Sequence, residues 1–306
     1  MMNALTIDLE DWYHPEFVAK FVPAHQRKDQ VEDAVKPLLQ LLDRYNVHAT
    51  FFVLGQVAER HPELIERIYE EGHEIASHGY SHKRLHELGK EKFEDDIRKS
   101  TNILESIIRE KIIGFRAPSY SIDQDTAWAL AILENLGYKY DSSAFPLRFR
   151  KKSLYGVRNA PLYPYSPSKE DITKESDYRN REIIEFPLSV VKSAGIKIPV
   201  AGGAYLRLFP AWFLRLAIKK INKEKRPAII YVHPWETYEK TPRIKLSFPH
   251  KQITYYGIDS SLKKIESLLR NFRFGTVKDV LFHYVKCYYS SLAFIVCHIT
   301  ALSNVI

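Results

Sequence analysis

Over its first 235 residues the chain alternates short, mostly apolar runs with longer segments whose apolar residues recur at helical spacing, and that alternation limits the fold more than anything else. The short runs are Ala4–Leu9, His48–Leu54, Glu74–Ser77, Ile112–Arg116, Tyr138–Ser142, Ile183–Leu188 and Ala228–His233. They are rich in Ile, Val, Phe and Tyr and do not alternate apolar with polar, as expected of strands buried on both faces. Between them, Gln30–Tyr45 carries Val31, Ala34, Val35, Leu38, Leu41 and Leu42 on one stripe, and Pro62–Glu71 repeats the pattern with Leu64, Ile65 and Ile68. Lys90–Glu110, Asp125–Leu136 (stopped by Gly137), Pro210–Asn222 and Asp259–Asn271 complete the helices. Strand, helix, strand repeated in this way predicts a parallel sheet with crossover helices, either doubly wound or a barrel one strand short of the usual eight.

Composition narrows the partners. The chain has 306 residues, 45% hydrophobic and 27% charged, enough for one large α/β domain. Its 45 basic and 37 acidic residues give a formal charge of +8, but the basic residues are scattered, with clusters no longer than that at 148–152. That distribution argues against nucleic acid and suits an anionic glycan, a lipid headgroup or a membrane face. Two cysteines, Cys287 and Cys297, form no CxxC, so neither a disulfide framework nor a thiolate metal site is expected. Met1–Asn3 leads straight into a strand and then Asp8-Leu9-Glu10-Asp11, too short an apolar stretch for a signal peptide, so a cytoplasmic location is expected. From Cys287 to Ile306 no Lys, Arg, Asp or Glu occurs, a length that spans a bilayer or packs as a helix. The chain therefore divides into a catalytic domain at 1–280 and an apolar tail at 281–306. The segment Pro146–Arg181, with four prolines and no period, reads as one long loop, either functional or disordered.

In parallel α/β folds the chemistry gathers at the carboxyl ends of the strands. Here the first strand ends in Asp8-Leu9-Glu10-Asp11 and the third in His78-Gly79-Tyr80-Ser81-His82. The fourth ends in Arg116-Ala117-Pro118, the fifth in Asp141-Ser142-Ser143 and the last in His233-Pro234-Trp235-Glu236. Any one of these is ordinary as a cap, a solvated turn or a core histidine. Together they place two imidazoles and a carboxylate on one rim, a facial set suited to a divalent metal with open positions for water. Asp8 and Glu10, two apart, project to the same side, so one can ligate while the other acts as base. A cation and Arg116 would offset the repulsion between them, and His233, from the far side, suits a general acid.

These residues resemble the polysaccharide deacetylases of carbohydrate esterase family four, the NodB homology domain, over roughly residues 3–280. Thr6-Ile7-Asp8-Leu9-Glu10-Asp11 corresponds to the first acidic motif, His78–His82 to the metal motif, Phe115-Arg116-Ala117-Pro118 to the arginine–proline motif and Ile230–His233 to the terminal histidine motif. Asp141-Ser142-Ser143, Gly202-Gly203-Ala204-Tyr205 and His233–Glu236 are similar to signatures of a subgroup associated with exopolysaccharide loci and related to allantoinase-like and peptidoglycan deacetylases. The resemblance implies a distorted seven-stranded (β/α) barrel and metal-dependent removal of N-acetyl groups from sugars. It implies Asp8 as base, Arg116 as its orienting partner, His233 as acid, and His78 and His82 as ligands of a divalent ion, most simply zinc. Leu9 stands where the family has its second aspartate; the ligand becomes Glu10 or Asp11, and the same-side argument prefers Glu10. Ser119 follows Pro118 where the family has Tyr, which reshapes the turn that would bind an oxyanion. Gly79 replaces a Ser or Thr and predicts a less restrained loop.

The expected substrate is an N-acetylated polysaccharide or lipid-linked glycan precursor, with Trp12, Tyr13, Tyr120, Trp235, Tyr255 and Tyr256 as candidates for stacking on sugar faces. The alternatives are a hydrolase of another amide, cyclic ureides included, and a glycan-binding protein with a structural metal. The second has no need of Asp8, Arg116 and His233.

Overall fold

A computed structural model describes residues 1–147, 156–176 and 183–284. All seven expected strands are present: β1 (Met2–Leu9), β2 (Thr50–Val53), β3 (Glu74–Ser77), β4 (Gly114–Phe115), β5 (Tyr140–Asp141), β6 (Ile184–Glu185) and, after a hairpin of β7 (Val190–Ser193) and β8 (Ile196–Pro199), β9 (Ile229–Val232). They pair in parallel in the order β9, β1, β2, β3, β4, β5, β6, a curled sheet that forms most of a barrel wall. An eighth strand, β10 (Arg273–Gly275), pairs with the first residues of β1. It was not expected, because three residues, R-F-G, carry no readable period.

Helices α1 (Glu16–Ala19), α2 (Val31–Arg44), α3 (Gly55–Arg60), α4 (Pro62–Glu70), α5 (Leu85–Ile108) and α6 (Trp128–Asn135) lie in the first part of the chain. They are followed by α7 (Ala204–Leu208), α8 (Ala211–Lys223), α9 (His250–Tyr255) and α10 (Ile258–Leu269). The main core forms where helix stripes meet the outward face of the sheet: Val31, Val35, Leu38 and Leu42 of α2, and Ile65 and Ile68 of α4, join Ile7, Phe51, Val53 and Phe115. Burying each such side chain contributes about 1.5–3 kcal/mol, which is why the 3.6-residue stripe was legible. Inside the curl, Ala4, Phe52, Ala76, Tyr140, Phe186, Ile229 and Tyr231 form a second cluster that closes the barrel bottom.

Between β6 and β9 the wall is completed by irregular chain. Tyr231 N–H donates to Ala201 O at 2.7 Å, Gly203 N–H to Tyr231 O at 3.1 Å, and Ile229 N–H to Ser189 Oγ at 2.7 Å. The approach is so close that a Cβ at Gly202 would lie 1.8 Å from Tyr231 O, which accounts for the Gly202-Gly203 pair. The described part of the long loop, 156–176, contains no helix or strand, only isolated bridges of Tyr165 to Glu185 and Pro167 to Glu175. No helix among the described residues is long and apolar enough to cross a membrane. The expected apolar tail begins at a described helical turn at 281–284, and the rest of it lies outside the described residues.

Candidate active site

β1 delivers Asp8 and Glu10 to the top of the sheet, both 2% exposed. The backbone folds tightly there, with Glu10 N–H donating to Asp8 O at 3.0 Å. Asp11 turns away: its carboxylate accepts from Trp12 N–H at 3.1 Å and Gln30 N–H at 3.0 Å. Burial, together with a hydrogen bond to Asp29, pushes Asp11 up to about 8. It anchors the loop, and Glu10 is the carboxylate that faces the histidines.

His78 caps β3, its N–H bonded to Val53 O at 2.9 Å. Its Nδ1 lies 2.7 Å from Arg116 O, so the proton sits on Nδ1 and Nε2 is left as a bare lone pair. His82 Nε2 lies 2.7 Å from Glu10 Oε2. Among the described residues, Glu10, His78 and His82 can bring one ligand atom each to within 4.8 Å of one another. Glu10 Oε2 is buried, and apart from that His82 nitrogen no donor reaches it. A buried oxygen of this kind beside two imidazole nitrogens fits a divalent cation, and the all-N/O donor set fits zinc. Burial would raise the Glu10 carboxyl, but His82 and His233 beside it hold it well below the usual range. Burial lowers His78 to about 4, keeping it neutral as a ligand must be.

The loop joining the two histidines is not slack, contrary to the expectation from Gly79. Asp96, on α5, accepts from Tyr80 N–H at 2.6 Å and Ser81 N–H at 3.2 Å, and Gly79 O accepts from Gly55 N–H at 2.8 Å and Ser100 Oγ at 3.1 Å. Gly79 is needed for its φ of +74°. Three non-glycine residues with left-handed φ also sit here, His82, Ser119 and Tyr120. Backbone strain of this sort persists only where the surroundings over-determine it.

Arg116, fully buried after β4, donates through Nη1 to Asp8 Oδ1 at 2.6 Å and Thr6 Oγ1 at 2.8 Å, through Nε to Ser142 O at 3.0 Å, and through Nη2 to Ser142 Oγ at 2.9 Å. Opposite, His233 Nε2 stands 3.8 Å from Asp8 Oδ2 and 3.6 Å from Glu10 Oε1. Its Nδ1 is 2.7 Å from Glu236 Oε2, and Arg207 Nε donates to Glu236 Oε1 at 2.7 Å. Burial opposes the charge on His233, but Glu236 and Glu10 overcome it and raise His233 to about 9. Glu236 itself is held down to about 2, chiefly by His233 and Arg207 acting against burial. Trp235 stacks on His233 with centroids 5.3 Å apart and donates Nε1–H to Glu10 Oε1 at 3.2 Å.

Five of the six residues picked from the sequence, Asp8, Glu10, His78, His82 and His233, thus meet on the floor of one cleft of about 240 Å³, with Arg116 buried behind Asp8; the walls include Ser119, Tyr120, Tyr205, Arg207, Trp235 and Ile253. Of the aromatic candidates, Tyr120 and Trp235 line the cleft. Trp12, Tyr13 and Tyr255 are buried behind it, and Tyr256 stands exposed at the side. The sequence reading assigned no role to Glu236, Arg207 or Asp96. For Glu236 a signal existed, since a Glu three residues after His233 across a proline is placed to reach back to it.

A curled parallel sheet carrying a buried carboxylate–histidine set, an arginine-bound aspartate and a carboxylate-backed histidine has the parts of a hydrolase site. Residues 27–140 match the polysaccharide deacetylase family, and residues 142–282 match a domain of unknown function, DUF3473. Residues 27–140 are thereby identified as a polysaccharide deacetylase domain. Over 156 residues it is 37% identical to peptidoglycan deacetylase-like protein FGM2 of Gibberella zeae, covering 49% of this chain and 44% of that protein. Over 67 residues it is 42% identical to a peptidoglycan-N-acetylglucosamine deacetylase of Bacillus cereus, covering 22% of this chain and 24% of that one. The chain spans less than half the length of these curated relatives. The same fold is found in a crystal structure of a protein assigned as a polysaccharide deacetylase from Mycobacterium smegmatis, with a TM-score of 0.62, 20% identity, and coverage of 94% of this chain and 91% of that one.

Proposed function

We propose that the chain is a metal-dependent hydrolase that removes N-acetyl groups from an N-acetylated polysaccharide or a lipid-linked glycan precursor, with residues 1–280 as one catalytic unit. The observation that carries this reading is the convergence of three elements on one cleft floor: Glu10, His78 and His82; Asp8 with Arg116; and His233 with Glu236. A divalent ion held by Glu10, His78 and His82 would supply Lewis acidity and lower the pKa of water at the cleft floor.

The chain's own residues divide the remaining work. Asp8, aimed by Arg116, takes the proton of the attacking water. The turn at 118–120 presents backbone to the acetamide oxygen as it gains charge. His233, protonated at neutral pH because of Glu236, gives its proton to the departing amine. Tyr120 and Trp235 offer apolar faces to the sugar. The names of the relatives favour a peptidoglycan-like N-acetylhexosamine polymer, and the subgroup motifs favour an exopolysaccharide.

The test is acetate release. Full-length protein with zinc, incubated with a panel of N-acetylated oligosaccharides, peptidoglycan fragments and acetylated exopolysaccharides, should free acetate from at least one. Release from none of them, together with hydrolysis of a cyclic ureide, would replace this reading with that of another amidohydrolase.

A further inference from the structure

Of the nine large apolar side chains left exposed among the described residues, six lie in segments that adjoin cleft-lining residues in the chain or pack against them, Phe21, Leu208, Trp212, Leu216, Phe248 and Tyr256; the other three are Met1, Ile196 and Phe282. Phe248 is 82% exposed, and Trp212 and Leu216 are each 57% exposed. They belong to neighbouring elements. Glu16 of α1, Arg207 of α7 and Ile253 of α9 all line the cleft. Arg207 ties α7 to α9 by donating to Tyr256 O at 2.8 Å and Ile253 O at 2.5 Å. Val18 and Val22 share an apolar cluster with Leu246 and Tyr255, which packs the α1 segment against α9. α8 follows α7 directly, burying Leu214, Ala217, Ile218 and Ile221 while Trp212 and Leu216 face outward.

The same segments are strongly basic. Residues 16–28, 208–225 and 239–252 hold twelve Lys and Arg against three Glu, whereas the whole chain has 45 against 37 acidic residues. Two of the three, Glu16 and Glu224, are paired with Arg84 and Arg226. Lys20, Lys219, Lys223, Lys240, Lys245 and Lys251 are all exposed. Protruding Phe, Trp and Leu among lysines, with few carboxylates, are the pattern of a surface that inserts into the headgroup layer of an anionic bilayer. A sugar would instead be met by rings inside the groove, and Phe and Leu offer it no hydrogen bond.

We propose that this rim docks on an anionic lipid surface, so that the cleft opens beside the membrane. The proposal deepens the deacetylase reading toward a membrane-presented glycan and rests on that reading only for its purpose, since docking is measured without activity. Full-length protein should sediment with phosphatidylcholine–phosphatidylglycerol vesicles, far less with phosphatidylcholine alone, and less as salt is raised. The double variant Trp212→Ser with Phe248→Ser should weaken that binding about tenfold or more. Lys245→Glu with Lys251→Glu should do the same, and both should keep the melting temperature and any acetate release from a soluble oligosaccharide. Failure of the wild type to bind anionic vesicles would overturn the proposal. So would equal binding by wild type and both variants, which would assign the contact to another part of the chain, or loss of a dimer in the variants, which would make the rim a self-association face. Vesicle binding without acetate release from any glycan would sink the deacetylase reading and leave the docking face standing.

Discussion

Two groups of three side chains among the described residues could each bring ligand atoms within 4.8 Å: Glu10, His78 and His82, and His86, Asp123 and Asp125. Both are built from imidazoles and carboxylates, two histidines and a glutamate in the first, one histidine and two aspartates in the second. Their surroundings differ. In the first, Arg116 O fixes the tautomer of His78, and Glu10 Oε2 is buried with nothing but His82 beside it. In the second, Asp123 is already employed as a helix cap, its Oδ1 accepting from Asp125 N–H at 3.0 Å and Thr126 N–H at 3.3 Å. Asp125 is exposed, and His86 Nε2 faces the other oxygen of that capping carboxylate, Asp123 Oδ2, at 3.2 Å. A metal site needs ligands whose other contacts hold them in place and whose donor atoms have no competing duty. Only the first group meets that condition.

Substitution of the base should separate the two groups most sharply. Asp8→Asn keeps the shape beside Arg116 but cannot accept a proton, and should lower kcat by about 10²–10⁴-fold at unchanged metal content. Asp125→Asn, beside the second group, should leave kcat near wild type. Near-normal turnover in Asp8→Asn would break the comparison. Next in size is Glu236→Gln, which removes the main charge holding His233 at about 9. Because His233 must be protonated to act as acid, the alkaline limb of kcat/KM should move to lower pH by about one unit or more. An unmoved limb would show that another group sets it.

Behind the first group, Asp141 and Glu185 are buried together next to Ser142, which holds Arg116, and Ser143 Oγ donates to Asp141 at 2.5 Å while accepting from Ala117 N–H at 2.8 Å. Burial pushes Asp141 up to about 6, and burial together with the neighbouring Asp141 charge pushes Glu185 well above the usual carboxylate range. The folded state therefore retains protons that the unfolded chain has released, and stability falls as pH rises from about 4 to 6 and beyond. Glu185→Gln keeps the acceptor for Ala144 N–H and should flatten the dependence of melting temperature on pH, gaining about 1 kcal/mol near pH 8. A wild-type melting temperature that rises through this window would contradict the assignment. The smallest effect belongs to the second group, where Asp123→Ala should cost about 1 kcal/mol as a lost cap. Differential scanning calorimetry would read it, with no change in metal content.

The same contrast explains what was legible from the sequence. The strands buried on both faces, the helix stripes and the residues at strand ends follow from local chemistry, so all seven strands and the six site residues could be read directly. The supports depend on distant partners. Asp96 reaches the histidine loop from the middle of α5, Arg207 reaches Glu236 across 29 positions, and Glu185 meets Asp141 across 44. No local pattern marks such residues. The hairpin of β7 and β8 did leave a mark, Ala194-Gly195 with both φ positive, the two-residue turn that suits twisted strands.

The central claim is that the buried group, and not the capped one, is the metal centre, and zinc stoichiometry tests it most directly. Equilibrium dialysis of the full-length protein followed by elemental analysis should give one equivalent of zinc for wild type and for His86→Ala, and none for His82→Ala or His78→Ala. Retention of the metal in both of the latter, or its loss in His86→Ala, would contradict the account.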